Sequence, residues 1–297
     1  MSPINLEFDC YLMVDWCAES KPKTRSDSIW YCFYDRPENV WKIENPATRK
    51  KATDEILVHL HEKTKQQRAV LVGFDFPFGY PAGFSSALGL VGKHPWRAIW
   101  DELKKTVIDD DKNRNNRFDV AAAFNCRISS HPFPFWGRPK NMESRWISQT
   151  KARPHLAEFR ITEQRAKGTQ SVWKLLGQGC VGSQAIVGIP CVARLRDDEK
   201  LCMRSAVWPF ETGLRLLPKR NQREWSILYA EIFPPMFKAT ARRDEIRDEA
   251  QVRDLVERLK AEDEGGRLGE WFAGPNGLNK QEKRRIVTEE GWILGLK

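Results

Sequence analysis

The sequence predicts an α/β fold built on a mixed sheet. Three strand-like runs, 11–17, 28–34 and 40–43, follow one another across short breaks, an amphipathic helix comes next, and a nearly continuous apolar run closes the unit at 69–74. The order is β-β-β-α-β. A right-handed crossover lays the last strand beside the first and parallel to it, so three antiparallel strands and the parallel strand form a single α/β layer.

Each element has its own signal. The first run carries Asp15 inside otherwise apolar residues. The second is rich in β-branched and aromatic residues, and Asp35-Arg36-Pro37-Glu38-Asn39 supplies the turn into the third. Ala52, Ile56, Leu57 and Leu60 recur at helical spacing among charges, which predicts an amphipathic helix over 48–67. The run at 69–74 reaches Asp75, and then Pro77, Gly79 and Pro81 prevent its continuation. Beyond it, 96–107 reads as helix, and Asp109-Asp110-Asp111 with the Asn/Arg-rich residues that follow reads as an exposed loop. Segment 131–139 holds three prolines and forms no long element. Segment 183–195 is apolar but interrupted by Gly188 and Pro190. A strand bearing Glu231 is expected over 226–233, and Val252, Leu255, Val256 and Leu259 mark the apolar face of a helix over 248–262. No repeat or linker divides the chain, so one elaborated domain over 1–297 is expected, with 112–223 as a basic insertion.

The chain has 297 residues, 41% of them hydrophobic, enough for a sizeable core. No apolar run approaches the length of a membrane span, and no basic leader opens the sequence. Seven cysteines without a C-x-x-C pair read as reduced thiols in a cytoplasmic protein. The formal net charge is +9, from 49 basic and 40 acidic residues. Segment 112–174 holds 13 Lys and Arg against 4 Asp and Glu, so it carries the whole surplus and the remainder is neutral. A localised positive excess points to an anionic partner.

Acids inside apolar strands are the candidate chemistry. A buried carboxylate costs several kcal/mol unless a cation or good donors compensate it. Asp15 and Asp75 end strands expected to be neighbours, and together they make the beginning of a divalent-metal site. Glu231, in Tyr229-Ala230-Glu231-Ile232-Phe233-Pro234, is a third such acid. Asp248 opens a helix and competes with a role as its N-terminal cap. Glu211 is a weaker candidate, and Glu289-Glu290 read as a solvated C-terminal edge. The five histidines and the cysteines show no zinc spacing, and neither a Walker loop nor a G-x-S-x-G elbow occurs. Gly177, Gly179 and Gly182 fit G-x-G-x-x-G, and backbone amides there could cradle phosphate. Cations and aromatics interleave at Arg138, Lys140, Arg145, Trp146, Lys151 and Arg153, the pattern of a single-stranded nucleic-acid interface.

Asp15 in the first strand, the Asp75-Phe76-Pro77 turn, the Glu231-Ile232-Phe233-Pro234 strand, the acid-led helix at Asp248 and the Glu290-Gly291-Trp292-Ile293 ending resemble the predicted nucleases of family DUF429. The resemblance implies a ribonuclease H-like fold in which Asp15, Asp75, Glu231 and Asp248 surround two Mg²⁺ or Mn²⁺ ions, with Asp15, Asp75 and Asp248 as metal ligands. A metal-dependent phosphodiesterase, in particular a nuclease acting on DNA or RNA, is the expected activity. Val252 stands where that family's last helix often carries a second aspartate. A catalytically inactive nucleic-acid-binding or effector subunit and a nucleotide-binding phosphotransferase or hydrolase remain as alternatives.

Overall fold

Six strands pair into one mixed sheet in the computed structural model, which describes residues 6–92, 94–151 and 155–297. They are β1 (Cys10–Asp15), β2 (Trp30–Asp35), β3 (Val40–Glu44), β4 (Val70–Phe74), β5 (Ser205–Val207) and β6 (Ile227–Glu231). The helices used below are α1 (Arg49–Lys65), the short α2 (Phe84–Ala87), α3 (Pro95–Thr106), α4 (Arg117–Ser129), the short α5 (Ile161–Arg165), α6 (Val181–Arg196) and α7 (Arg247–Glu264). Across the sheet the order is β3-β2-β1-β4-β6-β5. The first three strands are antiparallel; β4 is parallel to β1, β6 to β4, and β5 to β6.

The β-β-β-α-β expectation therefore holds in its pairing. Helix α1 begins where Thr48 accepts the Lys51 N–H at 3.2 Å, and it crosses to deliver β4 beside β1 in the register Val14 to Phe74. The single layer does not hold, because the sheet is covered on both faces. Alternation sends Leu12, Val14, Val72, Phe74 and Tyr229 into one core, with Ile56 of α1, Trp100 of α3 and Ile186 of α6. It sends Tyr11, Met13, Leu71 and Ala230 into a second core, with Val252, Leu255, Val256 and Leu259 of α7 and Trp292 near the C-terminus. Burying each of these larger aliphatic side chains contributes about 1.5–3 kcal/mol.

The stretch 112–223 is not uniform. Between 130 and 180 it is largely irregular, whereas α6 packs into the first core and β5 extends the sheet. Helix α6 runs unbroken through the residues that read as interruptions. Gly188 lies where any Cβ would strike the Phe76 ring, so the glycine is what lets α6 approach the β4 end closely. Pro190 sits inside the same helix and removes one main-chain donor. The loop after α3 is anchored rather than free. Buried Asn113 accepts the Arg49 N–H at 2.9 Å, and Asp109 accepts the Arg49 guanidinium.

Candidate active site

The parallel pairing of β1 and β4 fixes the site. One residue past the Val14–Phe74 pair, the Asp75 N–H donates to the Val14 carbonyl at 3.2 Å and the Trp16 N–H donates to Asp75 Oδ1 at 2.7 Å. Asp15 and Asp75 follow Met13 and Gly73 by two residues, so both side chains stand on the α7 face of the sheet. Their carboxyls hydrogen-bond to each other. Burial pushes Asp15 well above the usual carboxylate range, and the charges of Asp75 and Asp248 push it further. Burial raises Asp75 as well, to about 6, against the opposing effect of the hydrogen bonds it accepts from Asp15 and Trp16. The two abutting carboxyls titrate as one pair rather than independently, and both are held above the usual carboxylate range.

Asp248 joins them from the first turn of α7. It does not cap that helix: the cap position is Ile246, and Asp248 Oδ2 accepts the Asp27 N–H at 2.7 Å. Burial raises this carboxyl too. The three acids line a cleft of about 500 Å³ at the carboxyl ends of the parallel strands, together with Lys23, Arg117, Gln184, Gln251 and the loop Leu175–Val181. No base forms an ion pair with Asp15, Asp75 or Asp248 among the described residues. Nor, among those residues, do three or more His, Cys, Asp or Glu side chains close around one point as a metal cage. One rim of the cleft is held by Arg49, whose Nη1 donates to the carbonyls of Cys17 at 3.1 Å and Glu19 at 2.8 Å.

Glu231 is not brought to this group. It follows Tyr229 by two residues and therefore points to the opposite face of the sheet. There Arg160 grips it with two bonds, Nη1 to Oε2 at 2.8 Å and Nη2 to Oε1 at 2.6 Å, and the Phe78 N–H donates to it at 3.1 Å. Arg160 is fully buried and also holds Glu163. Its guanidinium is held above the ordinary arginine range by these two carboxylates, which outweigh its burial. Glu289 and Glu290, expected on a solvated edge, are buried. Glu289 accepts the N–H groups of Gly83 and Ser85, Glu290 those of Ala82 and Ile161, and Arg285 pairs with Glu290. Glu211 pairs with Arg196.

The expected nucleic-acid interface is dispersed. Lys140 and Arg145 are exposed, with the Arg145 guanidinium over the Trp146 ring at 4.3 Å. Arg138 turns back onto the Met142 carbonyl, and Lys151 pairs with Glu158 at 2.5 Å. Arg153 lies outside the described residues. None of the others lines the cleft. The basic segment reaches it instead through Arg117, which the interleaving of cations and aromatics does not mark. The glycine-rich stretch does line it, as the loop leading into α6, with Gly177 and Gly179 at positive φ.

No protein-family model, no curated protein and no solved structure matches this chain.

Proposed function

We propose that this protein is a metal-dependent phosphodiesterase acting on nucleic acid, on a sheet of the ribonuclease H-like kind. The observation that carries the reading is the abutting pair Asp15–Asp75, with Asp248 beside it, in a cleft where none of these three acids forms an ion pair among the described residues. The strand order, three antiparallel strands followed by parallel ones, supports the fold. The donor set fits Mg²⁺ or Mn²⁺, which need only one or two carboxylates plus water and phosphate oxygens. Asp15 and Asp75 would hold the ion, with Asp248 as the further acid. Bound there, it would polarise a phosphoryl oxygen and lower the pKa of a coordinated water. The chain itself contributes orientation, because the Trp16 N–H fixes one oxygen of Asp75. Lys23 adds positive charge at the rim, against the substrate's phosphates.

The test offers DNA and RNA, single- and double-stranded, to the full chain with Mn²⁺. Cleavage that both Asp15→Asn and Asp75→Asn reduce at least a hundredfold is expected. Activity that survives either change, or no activity on any substrate, sinks the proposal. Burial of Val252 favours a second reading, a subunit that binds without cutting, since α7 then presents Asp248 without a second aspartate one turn on. It predicts wild-type nucleic-acid binding that neither Mn²⁺ nor the two substitutions alter.

A further inference from the structure

Arg117, the first residue of α4, brings a guanidinium to the cleft wall without a carboxylate beside it. Nε donates to Ser183 Oγ at 3.0 Å, and Nη1 donates to Ser20 Oγ at 2.7 Å and Asn115 Oδ1 at 2.9 Å. All three partners are neutral. Among the described residues no acid forms an ion pair with this side chain, and Nη2 has no acceptor. Arg49 nearby shows the ordinary solution, with Nε and Nη2 both on Asp109. Burial, and then the like charge of Arg49, push Arg117 below the ordinary arginine range, as expected of a cation lacking its counter-charge. Three neutral hydrogen bonds and the Phe118 ring, 4.5 Å beneath the guanidinium, offset part of the cost of this half-buried charge, and no carboxylate neutralises it.

The guanidinium is nevertheless held in one orientation. Ser183 Oγ donates to the Leu175 carbonyl at 2.6 Å, which leaves its lone pairs toward Arg117 Nε. Ser20 lies just past the rim residues Cys17 and Glu19 that Arg49 fixes. Arg117 shares its cleft with the glycine-rich loop and, on β1 and β4, with Asp15 and Asp75. A fixed fork of donors in the same cleft as paired acids fits a phosphate ester presented between the two.

We propose that Arg117 is the phosphate-binding residue of the cleft, capturing through Nη2 a phosphate group of the substrate. This rests on the phosphodiesterase reading for the fate of the ester, not for its capture. The cleft volume, about 500 Å³, accommodates one nucleotide unit, whether free or part of a strand.

The experiment titrates inorganic pyrophosphate, a mononucleotide and a short single-stranded oligonucleotide into the full chain in EDTA, by calorimetry. Saturable binding is expected, weakened at least tenfold by Arg117→Gln, less by Arg117→Lys, and unchanged by Lys151→Ala. Pyrophosphate alone should occupy the subsite, and tighter binding of the mononucleotide or of the oligonucleotide identifies the source of the phosphate. Absence of saturable binding, or equal affinity in Arg117→Gln, overturns the proposal. Should Arg117→Gln fail to fold, phenylglyoxal labelling of the wild type decides it: pyrophosphate must protect Arg117, and protection confined to other arginines refutes the assignment. The wild type separates the two claims. Arg117-dependent phosphate binding without any metal-dependent cleavage by the wild type removes the phosphodiesterase reading alone, and cleavage that Asp15→Asn abolishes, with phosphate binding independent of Arg117, removes this one.

Discussion

Asp15 and Glu231 both end apolar strands, and both lie against β4. One stands on the α7 face among other acids, with no base beside it; the other stands on the opposite face in the grip of Arg160. The same residue class at the same kind of position has become two different things. The difference is the counter-charge. An acid that folding supplies with a guanidinium is part of the framework, and an acid pair left without one holds its protons to higher pH and keeps its capacity for a cation from outside.

The largest effect should come from breaking the compensated cluster. Arg160→Met leaves Glu231 and Glu163 buried without their cation, and a loss of about 3–5 kcal/mol of stability in urea unfolding is expected. A loss under about 1 kcal/mol would mean that the Phe78 N–H and water satisfy Glu231 unaided, and the contrast with Asp15 would fail. Next in size is the pH dependence of the uncompensated pair. Because the folded pKa of Asp75 lies above its ordinary value of 3.8, at about 6, its contribution to stability is fully present below 3.8 and is lost as pH rises through 6. In EDTA the protein should therefore lose on the order of 1–3 kcal/mol between pH 4 and pH 7 from this group. Asp27 and Asp248 face the same region and act in the same direction, while Lys23 and Arg247 act against them. Asp75→Asn should flatten that slope, and a wild type whose denaturation midpoint is level across the window would refute the shared proton. Mn²⁺ at pH 7 should restore stability in the wild type and not in Asp15→Asn, as read by thermal unfolding. The smallest effect belongs to the surface. Lys140→Ala with Arg145→Ala should change stability by less than about 0.5 kcal/mol. Nucleic-acid binding by this double variant should show a shallower salt dependence, and an unaltered slope would place the contact elsewhere.

The sequence reveals the order of the first four strands, because the apolar runs of β1 and β4 and the period-3.6 pattern of α1 are local signals. It does not reveal the three-residue β5 or where β6 joins the sheet. It also reveals Asp15 and Asp75, since parallel pairing of two identified strands places their ends together. It does not reveal that Glu231 is paired, because Arg160 is 71 residues away and only the folded chain brings the two into contact. Arg117 is hidden for the same reason: its partners Ser20 and Ser183 are 97 and 66 residues distant. Side-chain direction is the other loss. Glu231 belongs with Asp15 by composition, but one step of strand alternation turns it to the far side. Helix α6 was obscured by Gly188 and Pro190, which read as breakers until Phe76 is seen against the glycine.

Arg49 ties the carbonyls of Cys17 and Glu19 to Asp109 and Asn113 through a single buried side chain. That side of the cleft is a fixed jamb. Widening the entrance from it would break several hydrogen bonds at once, whereas Gly177 and Gly179 on the other side can change backbone angles without steric cost. Any widening of the cleft is therefore expected on the glycine-loop side rather than at Arg49.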